Sequence, residues 1–382
     1  MGIKINQVFD KVVSSANLYK AAHQTLLKGL RFKPNGAEWK WQMEYRLIRL
    51  QDALQKGTYR HGKYQSFTIY DPKERNILAA QITDRVVHHA LNNIIEPIVD
   101  RKFIYHSYAC RVGKGQHVAM QQAKSMLQAN AYYMHLDVKK FFYNIHRPTL
   151  FNIISHTLTC EKTLGLVSEI INSSTQHAFY KPDSQQPDLF SVNTYDEYNS
   201  TGYPTAARGI PIGNLCSQIF ANWYLNELDQ FVKHQLKLRY YIRYMDDFVF
   251  FGNNKTEMMH AEKAIHQFVD EKLKLQLHAS GGATPSAHGL TFLGFRIYTN
   301  HVSVKTASVN RFRKKLKYML KPGDMPPVVH FFDVYKRAQS WNAHASHADS
   351  FGLRSKIFNA HPYTKFMFKY QFNELALRER LV

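Results

Sequence analysis

The stretch Arg239–Asn253, RYYIRYMDDFVFFGN, sets two acids, Asp246 and Asp247, inside a run that is otherwise aromatic and aliphatic. A carboxylate left unpaired in such surroundings is costly unless a cation compensates it. Strand residues point alternately to opposite faces, so neighbouring acids act on one centre only where the backbone turns. The stretch therefore reads as a strand, Tyr240–Tyr244, a turn carrying both carboxylates, and a second strand, Phe248–Phe250. A bare pair of aspartates most often reads as a solvated surface turn. The flanks decide here: Tyr244 and Met245 before the pair, aromatic and branched residues after it.

Working outward, a second acid, Asp137, ends the strand-like run of AYYMHLDVKKFFYNI, residues 131–145, and Phe142 follows it. The separation from Asp246 lets the chain leave and return as a neighbouring strand, although Asp137 alone also reads as a helix cap or loop acid. Three converging carboxylates would make a site for two divalent cations about 4 Å apart, the arrangement that nucleotidyl transfer uses. Between the acids, RGIPIGNLCSQIFANWYLNELD, residues 208–229, gives a turn around Pro211 and Gly213 that feeds a long helix beginning near Ser217. A glycine lets backbone approach a ligand closely, and a helix N-terminus favours phosphate.

Fifty Lys and Arg against 29 Asp and Glu leave a formal charge of +21, spread along the 382 residues, and 14% of residues are aromatic. This balance favours a folded protein with a groove for a polyanion and rings that stack on bases. Cys110, Cys160 and Cys216 lie far apart and form no CxxC, so neither a zinc ribbon nor a disulfide framework is expected, and a cytoplasmic setting is. No apolar run of about 18 residues is present, so no membrane partner is expected. Residues 1–60 read as helices, Glu38–Leu54 among them. Tyr64–Leu78 alternates as a hairpin with Lys73 and Arg75 beside its tip, either a solvated tip or a grip on phosphates. Thr83–Arg101 is expected to be a helix capped by Thr83, with Val86, Val87, Ala90, Leu91, Ile94, Ile95 and Ile98 as its apolar stripe. His88 and His89 on it have no further ligand at metal spacing. Arg111 and Lys114 stand in SYACRVGKG, residues 107–115, which lacks the spacing of a Walker loop. Tyr180–Ala207 reads as a long polar loop, and Val302 onward as a basic helix with Arg311, Arg313, Lys314, Lys315, Lys317 and Lys321.

The order of these motifs resembles bacterial reverse transcriptases over about residues 60–300: Lys73 and Arg75, then 107–115, Asp137 with Phe141 and Phe142, a glycine loop with a helix, Tyr244-Met245-Asp246-Asp247, and FLGFRI at 292–297. Within the related group II intron-like superfamily, Ile212-Gly213-Asn214-Leu215-Cys216-Ser217-Gln218 is similar to the IGNxxSQ box of diversity-generating retroelements, where retroviral, intron and retron enzymes carry QGxxxSP. Ser340–Ile357 is similar to the thumb end of the same group. The resemblance implies an α+β right-hand polymerase fold: an N-terminal helical extension over 1–60, fingers and a palm of antiparallel sheet on helices over 61–300, and a basic helical thumb over 301–382. It implies RNA-templated DNA synthesis with mutagenic, adenine-directed copying. Asp137, the carbonyl of Val138, Asp246 and Asp247 would hold two Mg²⁺, with Mn²⁺ as a substitute. Lys73, Arg75, Phe142, Ile212, Gly213 and Gln218 would meet the deoxynucleoside triphosphate, Phe142 as a steric gate against a 2′-hydroxyl. Arg111, Lys114, Tyr244, Met245, Gly294, Arg313 and Lys314 would follow the template RNA and the RNA/cDNA duplex, and a basic accessory protein is the implied partner. The segment 278–295 carries no lysine to serve as general acid, which leaves His278, His288 or water. A defence-associated reverse transcriptase and a non-catalytic RNA-binding protein are the alternative readings.

Overall fold

The structure, a computed structural model, describes residues 5–27, 29–70, 74–173, 207–320 and 328–368. The N-terminal region is helical: α1 (Phe9–Val12), α2 (Ser15–Leu26), α3 (Pro34–Trp41) and α4 (Met43–Gln55). The expected helix over Glu38–Leu54 is thus broken at Gln42, which leaves helical dihedrals at φ −98°, ψ 15°. The hairpin β1 (Gln65–Ile69) and β2 (Arg75–Ala79) follows, antiparallel, with Phe67 opposite Ile77 and Ile69 opposite Arg75. Lys73 and residues 180–206 of the polar loop lie outside the described residues.

Helix α5 (Ile82–Asp100) buries Val86, Val87, Ala90, Leu91, Ile95 and Val99 completely, and α2 packs against it. Asn17 of α2 fastens the pair by donating to the Ala90 carbonyl at 2.9 Å. The cap differs from expectation. The helix starts at Ile82 after an extended Gln81, so Thr83 lies within the first turn, where its hydroxyl accepts from the Trp39 indole at 3.2 Å. His88 is buried, and burial pulls its imidazole down to about 3, so it is a neutral core group.

The rest of the chain runs α6 (Gln116–Gln128), β3 (Tyr132–Asp137), α7 (Phe141–Asn144), α8 (Arg147–Ser155), α9 (Glu161–Asn172), α10 (Leu215–Gln230), β4 (Tyr240–Tyr244), β5 (Asp247–Gly252) and α11 (Lys255–Glu271). Then come β6 (Thr284–Pro285), β7 (Leu290–Phe292), β8 (Phe295–Ile297), β9 (Val302–Val304), α12 (Thr306–Met319), α13 (Val328–Ala345), α14 (Phe351–Phe358) and α15 (Pro362–Met367). One sheet has the order β4-β5-β3-β6, another β7-β8-β9, the latter antiparallel throughout. Val302 therefore opens a strand and not the expected basic helix. Val302 and Val304 are buried on either side of Ser303, the period-2 pattern of a strand, and the helix begins four residues later at Thr306.

The chain forms two units. The first comprises Met1–Gly113, His135–Val249 and Met259–Ser280; the second, Lys114–Met134, Phe250–Met258 and Gly281–Val382. In the first, α10 packs on α5, and Tyr241, Ile242, Phe248 and Val249 are wholly buried. In the second, Phe312 of α12 stacks on Trp341 of α13 at 4.3 Å, with Phe358 edge-on to both. Arg313 and Lys314 are exposed on α12.

A candidate nucleotidyl-transfer site

Strand β3 ends at Asp137 and lies beside β5, which begins at Asp247, so the sheet order brings the two acidic stretches together. The Val138 amide donates to the Asp246 carbonyl at 3.3 Å, and the His278 amide to the Asp137 carbonyl at 2.9 Å. Asp246 occupies the turn and Asp247 starts β5, one residue earlier than the sequence suggests. Met245, just before them, is left-handed at φ 56°. A non-glycine residue there is strained, and the fold supplies compensation: Arg243, fully buried, donates to the Met245 carbonyl at 3.0 Å.

Burial, followed by the nearby carboxylates of Asp137 and Asp247, pushes Asp246 up to about 7, against the pull of Arg75. The charge of Arg75, exposed at the start of β2, therefore reaches the acidic turn. Asp247 turns elsewhere. Its carboxylate meets the Nε2 of His135, which shares a strand face with Asp137. As a result, among the described residues no three carboxylate, imidazole or thiol groups stand as a ready ligand set. Asp137 and Asp246, both half-buried, nevertheless offer a pair of hard oxygen donors, which suits Mg²⁺ or Mn²⁺. Asp247 would join them on exchanging His135 for the cation.

Around the acids, the Phe142 carbonyl accepts from the Ile210 amide at 2.9 Å, and the half-buried Phe142 ring meets Phe141 edge-on at 5.5 Å. The Ile212 carbonyl accepts from the Leu78 amide at 3.1 Å, joining this turn to β2. Gly213 has φ 111°, which favours glycine, and a side chain there would press on Ile77 at 3.0 Å. Helix α10 starts at Leu215, two residues before the expected Ser217, and Gln218 is exposed in its first turn.

The template-directed residues divide. Tyr244 is half-buried, and burial raises its phenol. Arg111 is held within its own loop: its guanidinium donates to Asp100 at 2.6 Å and to the carbonyls of Ile104 and Ser107 at 2.7 and 2.8 Å. Lys114, Gly294, Arg313 and Lys314 belong to the second unit. There Gly294 adopts φ 86° beside His344.

Sequence reasoning missed three groups. His135 was legible from the two-residue strand period. Asp229 and Arg243, a wholly buried pair at 2.6 Å, were flagged only by a cation inside an apolar strand. Tyr64 carried no signal, since its partner lies in a distant turn.

The family profile described as Reverse transcriptase (RNA-dependent DNA polymerase) matches residues 61–297. The chain belongs to this reverse transcriptase family. It is 24% identical over 250 residues to the group II intron-encoded protein LtrA of Lactococcus lactis subsp. cremoris, covering 62% of this chain and 37% of that protein. With nuclear intron maturase 1, mitochondrial, of Arabidopsis thaliana, identity is 22% over 255 residues, covering 53% and 35%. A putative COX1/OXI3 intron 2 protein of Saccharomyces cerevisiae is 20% identical over 176 residues, covering 46% and 17%. The matched region thus spans little more than a third of the length of the first two of these proteins.

Proposed function

We propose that the protein is an RNA-directed DNA polymerase that copies a template RNA into cDNA from deoxynucleoside triphosphates. The observation that carries the reading is the juxtaposition of Asp137 and Asp246 by β3 and β5, with the charge of Arg75 reaching the same turn. Two divalent cations, held by Asp137, the Val138 carbonyl, Asp246 and Asp247, would supply charge to activate a primer hydroxyl and to stabilise departing pyrophosphate. Arg75, with Lys73, neutralises the triphosphate. Phe142 sets its ring against the sugar and excludes a 2′-hydroxyl. The test is primer extension on an RNA template with Mg²⁺. The parent makes cDNA, and the double variant Asp246→Asn, Asp247→Asn makes none; full activity in the variant would sink the assignment.

A narrower reading, mutagenic copying for a diversity-generating retroelement, is supported by the apolar Ile212 in its turn. Intron, retroviral and retron enzymes carry glutamine at that place by the resemblance described above. Ile212 offers no hydrogen-bond donor to an incoming nucleotide, so selection against a poorly placed base is weak. Ile212→Gln is expected to lower misincorporation opposite adenine about three- to tenfold, the scale of one hydrogen bond, with synthesis retained. Sequencing cDNA made by both proteins from one RNA checks this. Coincident spectra at adenine would remove the retroelement reading and leave the polymerase.

A further inference from the structure

Asn214 sits at the N-cap of α10 with extended backbone, the position at which an asparagine side chain ordinarily accepts from the first helical turn. It makes no such bond. Its amide, buried, donates instead to the hydroxyl of Tyr64 at 2.7 Å. Tyr64 stands immediately before β1, 150 positions away in sequence. Its hydroxyl also meets Ser173 Oγ at 2.8 Å and His61 Nε2 at 3.1 Å, and its ring stacks on His61 at 4.6 Å. The Ser173 hydroxyl donates to the Ile170 carbonyl at 2.7 Å and His61 Nδ1 faces the Gly62 carbonyl at 2.7 Å, so Ser173 Oγ and His61 Nε2 are acceptors for the one Tyr64 proton, and the Tyr64 oxygen accepts from Asn214. His61 is itself fixed, its amide donating to Glu169 at 2.8 Å.

The turn carrying Ile212 therefore has two attachments to the hairpin region. One is the backbone bond between Ile212 and Leu78; the other is the side-chain bond between Asn214 and Tyr64. The first holds the carbonyl ahead of Gly213 and the second the side chain behind it. Gly213, at φ 111°, is the pivot between them. Without the second attachment the turn can rotate about Gly213 while α10 keeps its place.

We propose that Tyr64 is a positioning residue for nucleotide selection, acting through Asn214 to fix the turn that presents Ile212. The proposal rests on the reading that this turn faces the incoming nucleotide. Tyr64→Phe removes only the hydroxyl and keeps the ring on His61. Single-nucleotide insertion on a DNA-primed RNA template is expected to show KM for the deoxynucleotide raised about three- to tenfold, the scale of one hydrogen bond, with kcat within about twofold. Asn214→Ala is expected to do the same, and the double variant no more than either alone, because the two side chains act through one bond. Additive effects would overturn the proposal. So would an unchanged KM beside a lowered melting temperature, the signature of a merely structural tyrosine. Ile212→Gln separates the two levels. If it alters nucleotide selection while Tyr64→Phe does not, the positioning role fails and the placement of the turn stands; if neither alters it, the placement fails and the proposal with it.

Discussion

Asp246 keeps its proton at a pH where an exposed aspartate has lost it, because burial and then Asp137 disfavour its charge. The ordinary value is 3.8 and the folded value about 7. Between them the folded protein holds a proton that the unfolded chain has released. The resulting stability is fully present below about pH 4 and is lost as pH rises through about 7, on the order of 4 kcal/mol at the limit. In chelator, thermal melts at pH 5, 6.5 and 8 are expected to show stability falling for the parent, with a flatter profile for Asp246→Asn. Equal slopes in the two proteins would refute this account of the turn. Above pH 7 a divalent cation is expected to restore the parent more than the variant, since it takes over the compensation that the proton provided.

At the level of elements, the acidic turn is held in place from behind. Asp229, near the end of α10, accepts from the Tyr241 hydroxyl at 2.8 Å and from Arg243 at 2.6 and 2.8 Å, with both charged side chains fully buried. Removing one member of a buried pair strands the other charge, a loss of roughly 3–5 kcal/mol. Asp229→Ala is therefore expected to lower the urea midpoint by that equivalent and to drop activity through loss of folded protein. Pairing Asp229→Leu with Arg243→Met should recover more than half of the stability, and a double variant as weak as the single one would contradict the account. Such bonds also mark the limit of what the chain discloses in advance. The hairpins β1–β2 and β4–β5 follow from alternation, and α5 from its apolar stripe, because those signals are local. The place of Thr83 inside its helix, against Trp39, and the turn of Asp247 toward His135 were not legible, because each depends on a neighbour supplied by another element. The ion pair of Arg111 with Asp100 was hidden for the same reason.

Over the whole molecule the surplus of 21 positive charges suits the proposed RNA template. Each phosphate neutralised releases counterions, contributing about 0.7 to 0.9 to the slope of log affinity against log salt. Titrations between 50 and 300 mM salt (roughly the range in which such binding is read) are expected to give a slope of about −3 or steeper. A flat response would mean that the charge serves something other than RNA. Finally, the chain alternates between the two units, leaving the first at Gly113, returning at His135, and completing it only at Ser280. A ribosome therefore releases α5 long before its partner α10 exists. Nascent chains halted near residue 200 should expose apolar helices to chaperones and proteases, and protection should arise in one late step, since neither unit is a contiguous piece of polypeptide that can mature alone.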